Sequence, residues 1–358
     1  MRVLVTGHHG YIGTVLVPLL QSVGHEVHGL DSELFSDGTL GPAPAAIPEM
    51  IADVRDVQSS DLEGFDAVIH LAGISNDPLG DLNPECTFEI NHRASVQIAR
   101  MAKEAGVSRF LYASSCSLYG AAGEDELLDE SAPFRPVTPY AESKILVERD
   151  VAALADDQFS PTFLRCATAY GASPRLRADL VVNNLTGYAV LTNRVLLKSD
   201  GTPWRPLTHI LDISEAYRAV LAAPRQIIHN QAFNVGRSSE NYRVRDVAEI
   251  VGKCVQGSTV EFAPGAGPDK RCYRVDFRKI EHTLPGYRPT WTVEAGVREL
   301  AAAYSLHNMR MEEFDGSAFQ RIRRIRALQQ AGRLDSGLRW TSFHDSVDLS
   351  EIPEVQVP

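Results

Sequence analysis

RVLVTGHHGYIG (2–13) is the stretch that most narrows what this chain can fold into. An apolar run too short for a helix meets three glycines spaced G-x-x-G-x-x-G, and YIGTVLVPLLQSVG (11–24) continues as a helical pattern. Strand, tight turn and helix make the first half of a βαβ unit. Gly7 lets the turn close without a Cβ clash, Gly10 lets the backbone approach a pyrophosphate, and Gly13 lets the helix pack close to the sheet. The helix N-terminus then offers free N–H groups and a positive dipole end to phosphate. HEVHGLD (25–31) reads as a second strand ending at Asp31. A carboxylate there can bond both hydroxyls of a dinucleotide ribose and repels a 2′-phosphate, so NAD is expected rather than NADP. His8 and His9 are read as turn residues, because a pair of histidines alone completes no metal site.

The alternation continues. DAVIHLAG (66–73), SRFLYASS (108–115) and SPTFLRC (160–166) read as strands, and a long helical stretch runs from about Pro84 to Ala105. Apolar strands alternating with helices predict a Rossmann-type doubly wound parallel sheet, an α/β fold. After about Tyr170 the pattern loosens into short elements and Pro/Gly-rich turns such as SDGTPWRP (199–206) and APGAGPDKR (263–271), which predicts a smaller mixed α/β substrate domain. QAFNVG (231–236) reads as a strand returning to the main sheet. The expected division is a dinucleotide-binding domain at 1–170 with return segments near 206–236, a substrate domain at 171–205 and 237–310, and a helical extension and tail at 311–358. The basic helix FQRIRRIRALQQAGRL (319–334) reads as a solvated amphipathic helix on the small domain; Arg321, Arg323, Arg324 and Arg326 reaching a substrate phosphate or a partner subunit is the alternative. GEDELLDE (123–130) reads as a solvated acidic loop.

Composition excludes several classes. With a net charge of −11 over 358 residues, neither nucleic acid nor an anionic membrane is the expected partner. The five cysteines are scattered without a C-x-x-C pair, so neither a disulfide framework nor a zinc site is expected, and a reducing, cytoplasmic setting is. No leader or membrane-spanning run is apparent.

TPYAESK (138–144) carries the chemistry. Thr138 can cap a helix with Pro139 at its first position. Tyr140 and Lys144 then lie one turn apart on one face. A free phenol, pKa about 10, is a poor base near neutrality, and an adjacent ammonium stabilises its phenolate. The pair can exchange a proton with an alcohol or ketone. Lys144 can also reach the cofactor ribose. SSCSLYG (114–120) ends the preceding strand with a serine able to bond the same oxygen.

With these motifs in this order, residues 1–304 resemble the extended short-chain dehydrogenase/reductases, specifically the NAD-dependent nucleotide-sugar epimerases and dehydratases. The resemblance rests on GHHGYIG with Asp31, ADVRD (52–56), HLAG (70–73), EINHRAS, SSCSLYG, YAESK, LRCATAYG (164–171), DGTPWRPLTHILDI (200–213) and FNVG (233–236). It implies that Gly7, Gly10, Tyr11, Ile12, Gly13 and Asp31 hold NAD. Asp53 and Val54 would meet the adenine, and Leu71, Ala72, Gly73, Asn91, Tyr140 and Lys144 would line the rest of the cofactor. Ser115, Tyr140 and Lys144 become the catalytic set. Ser115, Cys116, Ser117, Thr168, Asp179, Leu180, Arg205 and Arg271 become the nucleotide-sugar contacts. Thr168 stands where the family has asparagine, and Ala266 where it has arginine, with Arg271 and Arg274 nearby.

The resemblance also implies a shared first step, oxidation of a sugar hydroxyl to a ketone. Dehydratases of the group carry acids before the tyrosine of the SSCSLYG-like turn, and this chain has Cys116 and Ser117. The 3,5-epimerase branch carries a cysteine where Ser117 stands. The expectation is therefore epimerisation at C4 through a transient keto-sugar, in a homodimer. A net dehydrogenase, ketoreductase or dehydratase on a nucleotide sugar is the alternative within enzymes; a non-catalytic NAD-binding regulator is the alternative outside them.

Overall fold

The computed structural model describes residues 1–75, 80, 83–122, 126–267 and 271–341. Its centre is a seven-stranded parallel sheet: β1 (Arg2–Thr6), β2 (Glu26–Asp31), β3 (Glu49–Ile51), β4 (Ala67–His70), β5 (Arg109–Ser115), β6 (Ser160–Cys166) and β7 (Gln231–Val235). Their spatial order is β3-β2-β1-β4-β5-β6-β7. The chain builds outward from β1 to β3, then crosses back to β4 beside β1. In such sheets a crevice opens above the strand ends at this reversal, where ligands bind. The expected return of 231–236 to the sheet is observed, with β7 parallel to β6.

Both faces of the sheet are covered, which is why its strands read as unbroken apolar runs. Val3, Val5, Ile69 and Leu111 face one layer, with α1 (Gly13–Ser22) and α5 (Ile210–Ala222). Leu4, Val68, Phe110 and Tyr112 face the other, with α2 (Ser95–Glu104) and α3 (Pro139–Ala152). The stretch expected as one helix from Pro84 is divided: Pro84–Thr87, a wider π-type stretch at Phe88–Ala94, then α2. Such widenings gather at functional sites, and this one carries Asn91.

Beyond the sheet, α4 (Val181–Thr192), α6 (Val244–Cys254) and α7 (Val293–Leu306) share a second apolar core with Leu207, Phe314 and Phe319. Three small sheets accompany them: Trp204–His209 between Thr168–Tyr170 and Asn241–Arg243, Arg194–Ser199 with Thr259–Gly267, and Leu127–Leu128 with Arg274–Val275. Residues 123–125 of the acidic loop, 268–270 of the Pro/Gly turn and the tail past 341 lie outside the described residues.

The basic helix, α8 (Arg321–Gln330), differs from its expectation. Ile325 and Leu328 pack with Ile74, Cys86, Ile90, Leu334 and Leu338, against the first half of the chain and not the small core. Ile325 and Leu328, three residues apart, make the apolar stripe, and Arg321 and Arg324 bury beside it because their long stems pack like hydrocarbon.

Candidate active site

A cavity of about 850 Å³ opens above the strand ends at the reversal. Its floor is the glycine turn. Gly7 sits at φ +75°, and a Cβ there would lie 2.8 Å from the Ala72 nitrogen. At Gly13 a Cβ would lie 2.5 Å from the Gly7 oxygen. Only glycine lets turn, strand and helix approach this closely, leaving backbone to face the cavity. The residues present therefore fit a dinucleotide phosphate. Tyr11 and Ile12 also line the cavity, but the Tyr11 hydroxyl is buried and donates to the Gly171 oxygen at 2.7 Å, so its contribution is backbone.

Asp31 ends β2 at the cavity wall. Its Oδ2 accepts from the His9 amide at 3.0 Å and its Oδ1 from the Glu33 amide at 2.8 Å, which fixes the carboxylate while lone pairs remain for ribose hydroxyls. His8 and His9 are held from β3: Glu49 Oε2 lies 2.7 Å from the Nε2 of each. The three groups could receive one cation, their ligand atoms lying within 4.8 Å of one another. Sequence reading missed Glu49 because β3 is three residues long and shows no periodicity.

Asp53 and Val54 line the cavity. The Asp53 carboxylate is already gripped by Arg55, with Nε at 2.9 Å and Nη2 at 2.6 Å. Burial opposes its ionisation, but the Arg55 bonds win and hold it below the usual carboxylate range. Leu71, Ala72 and Gly73 complete this side. Asn91 does not line the cavity: it is 1% exposed, accepting from the Ile74 amide at 2.7 Å and donating to the Ile74 oxygen at 2.8 Å. It braces the loop after Gly73.

Ser115, Tyr140 and Lys144 line the same cavity. The Thr138 hydroxyl caps α3, accepting from the Ala141 amide at 3.2 Å, and Pro139 starts the helix as the sequence predicts. Ser115 Oγ accepts from the Ser117 amide at 3.1 Å and so starts the turn at Cys116–Tyr119. Lys144 is 6% exposed; its Nζ donates to the Ala113 oxygen at 2.7 Å and sits 5.5 Å from the Tyr140 ring centroid. Burial lowers its pKa to about 8. Cys116 is displaced from its expected role. It is fully buried and its Sγ donates to the Arg165 oxygen at 3.0 Å, because the turn after β5 directs it into the core. Ser117 keeps its place on the wall.

On the far side are Thr168, Asp179, Leu180, Arg205 and Arg271. Leu180 precedes the first turn of α4, whose free amides suit an anion. Asp179 is paired with Arg177, Nη2 at 2.6 Å, and the sequence reading had not singled out Arg177. Arg177 also donates to Ser75 Oγ at 3.2 Å, and both residues line the cavity. Arg205 donates to the Trp204 oxygen at 2.8 Å and to the Arg271 oxygen.

Gln320, Arg321, Ile322, Ile325 and Leu338 close the cavity from the C-terminal segment; of the four arginines weighed as reaching it, Arg321 lines it. Arg55 Nη1 holds the Gly337 oxygen at 2.7 Å, Trp340 Nε1 the Ser32 oxygen at 2.7 Å, and Arg324 pairs with Asp37 at 2.7 Å. Among the described residues no helix is long and apolar enough to cross a membrane.

Residues 3–236 match the model of the NAD dependent epimerase/dehydratase family. A UDP-glucose 4-epimerase of Neisseria meningitidis serogroup C is 27% identical over 305 residues, covering 77% of this chain and 89% of its own. The solved structure of MoeE5 in complex with UDP-glucuronic acid and NAD is 26% identical with a TM-score of 0.75, over 86% of this chain and 99% of that one. TunA, an NAD-dependent NDP-hexosamine 5,6-dehydratase, shares the fold at 24% identity and a TM-score of 0.75, over 85% and 98%.

Proposed function

This chain belongs to the NAD dependent epimerase/dehydratase family, and from that premise we propose that it epimerises a nucleotide-linked sugar at C4 through a transient keto-sugar. One observation carries the reading. Tyr140 and Lys144, one helical turn apart, share a cavity wall with Ser115 and face the glycine turn and Asp31.

A bound dinucleotide would supply the hydride acceptor and donor; Asp31 would hold its ribose and the backbone at Gly10–Gly13 its pyrophosphate. Tyr140 takes the proton of the sugar hydroxyl and later returns it. Lys144 favours the Tyr140 phenolate and, with its pKa at about 8, remains an ammonium at neutrality. Ser115 orients the reacting oxygen. The diphosphate lies at the start of α4, near Arg177 and Arg205.

Elimination needs a nearby acid. The described carboxylates on the cavity wall are Asp31, Asp53 and Asp179, and all three are committed: to backbone amides, to Arg55 and to Arg177. Burial pushes the Cys116 thiol well above its ordinary pKa. Among the described residues the cavity wall therefore offers a keto-sugar no uncommitted acid beside Ser115 to expel its C6 hydroxyl, which favours reduction from the opposite face. Epimer interconversion across a nucleotide-sugar panel, without net reduced cofactor, is the expected result. Tyr140→Phe should lower turnover roughly 10²- to 10⁴-fold with NAD affinity unchanged. Steady accumulation of reduced cofactor, or loss of the C6 hydroxyl, would replace this reading with a dehydrogenase or a dehydratase.

A further inference from the structure

Arg321 is the first residue of α8 and one of the cavity-lining residues. It is 7% exposed, with its guanidinium carbon 3.9 Å from the Phe35 ring centroid. Its neighbours all have polar partners: Arg324 pairs with Asp37, Arg323 with Asp315, Arg177 with Asp179, and Arg175 donates to the Gly38 oxygen. Among the described residues, Arg321 alone of this group has neither a hydrogen bond nor an ion pair. Burial and then the repulsion of Arg177 pull its pKa down, and the fields of Asp179 and Asp31 only partly offset them. A guanidinium scarcely ever sheds its proton, so Arg321 stays charged and favours an anion beside it. Arg321 thus offers an anion in the cavity a charged, unpaired partner.

Position decides which anion. Phe35, Leu34 and Asp37 follow β2, the strand that ends in Asp31. Arg324 also donates to the Leu34 oxygen at 3.2 Å, so the start of α8 is fixed to the loop beyond the ribose carboxylate. Arg321 also feels the charges of Arg177 and Asp179 on the sugar-nucleotide side, but its ring contact with Phe35 and the anchoring of α8 to Leu34 set it on the side of Asp31. We propose that Arg321 is a phosphate-binding residue for the dinucleotide, carried to it by the C-terminal segment, which thereby becomes part of the cofactor site. The proposal rests on the NAD reading above. It also assigns a role to segment 314–341: with α8 seated on Phe35 and Asp37, the adenosine side of the cleft is covered, and the cofactor stays between turnovers, as an epimerase requires.

Titration calorimetry on cofactor-stripped protein tests this with NAD, ADP, adenosine and UDP as probes. Arg321→Gln should weaken NAD and ADP binding roughly 10- to 100-fold, the range for a lost hydrogen bond to a charged group. Adenosine, lacking phosphate, and UDP, the probe of the other phosphate source, should bind as before. Arg321→Lys should recover part of the loss. Unchanged ADP affinity overturns the proposal. So does an equal loss for adenosine, which would mean collapsed packing, or a loss confined to UDP, which would assign Arg321 to the sugar nucleotide. If the unaltered protein binds neither NAD nor ADP, the cofactor reading itself fails. Should the variants not fold, amide exchange in the unaltered protein decides: ADP should slow residues 319–330 and adenosine should not, and equal effects of the two overturn the proposal.

Discussion

Two of the walls that enclose the cavity differ in origin. The sheet wall, made of the glycine turn, the ends of β4 and β5 and the start of α3, comes from residues 1–152 and is backed by core on both faces. The strap wall, residues 314–341, is rooted by Phe314 and Phe319 in the second apolar core and beyond them is held by a small apolar cluster and scattered contacts: Arg324 to Leu34 and Asp37, Asn83 to Ser336, Arg55 and Cys86 to Gly337, Arg339 to Asp56, Trp340 to Ser32. The first should hold its shape without ligand. The second should open locally past Phe319, where one small apolar cluster and partly exposed contacts secure it. A resident cofactor needs both: a rigid surface for the chemistry and a cover that can yield once, for loading.

The rigidity of the sheet wall rests on a buried ion pair behind it. Glu148 of α3 accepts from Arg165 of β6 through Nε at 3.0 Å and Nη2 at 2.7 Å, and from Ser114 Oγ at 2.5 Å. Arg165 also donates to the Tyr119 hydroxyl at 3.1 Å and the Glu130 oxygen at 3.0 Å. The cluster ties α3 to the end of β5, fixing Tyr140 relative to Ser115. Glu148→Ala leaves a buried guanidinium uncompensated, and global stability in urea should drop by about 3–5 kcal/mol. A loss under about 1 kcal/mol would mean that water reaches the pair, and the contrast in rigidity between the walls would go with it.

The same contrast explains what the sequence makes legible. β1, the glycine turn and α1 are contiguous, so their chemistry is visible in twelve letters, RVLVTGHHGYIG. Thr138, Pro139, Tyr140 and Lys144 lie within one helix start and are equally local. Asn91 and Cys116 were misplaced because their residue types suit a ligand, while their orientation depends on a π-type stretch and a tight turn that no period announces. Arg177 was missed, and Arg321 was named only as one of four interchangeable arginines in the less favoured alternative, for a different reason. Each is one arginine among several in its segment, and only the tertiary fold shows that one is paired with Asp179 and the other unpaired against Phe35.

Acid provides a second, smaller probe of the sheet wall. His70, at the end of β4, lies buried between Thr6 Oγ1 at 2.7 Å and Ser95 Oγ at 2.8 Å. Burial, and after it the charge of Lys144, lowers its pKa to about 3 from an ordinary 6.5. Between those values the unfolded chain binds the proton and the folded one does not, so stability falls as pH drops through the window. The loss attributable to His70 should reach roughly 3 kcal/mol at pH 4.5. His70→Gln lowers the baseline but should flatten the slope of stability against pH between 6.5 and 4.5. An unchanged slope would show that other groups, the carboxylates first, set the acid limit.

The smallest expected effect separates the walls most directly. Arg55 bridges them: it grips Asp53 on the sheet side and holds the Gly337 oxygen at 2.7 Å and the Leu338 oxygen at 3.4 Å on the strap side. Burial alone would lower its pKa, but the Asp53 bond more than offsets this and the guanidinium stays firmly charged. Arg55→Ala removes both strap contacts and releases Asp53, which faces the cavity and can take up water. The cost should be about 1–2 kcal/mol and should fall on the strap alone. Amide exchange across 334–341 should then accelerate roughly 5- to 30-fold, while exchange in β1, β4 and β5 and the urea midpoint stay nearly unchanged. If the core strands accelerate equally, strap and sheet open as one unit. Cofactor exchange would then require unfolding of the whole molecule, not the release of its last helix.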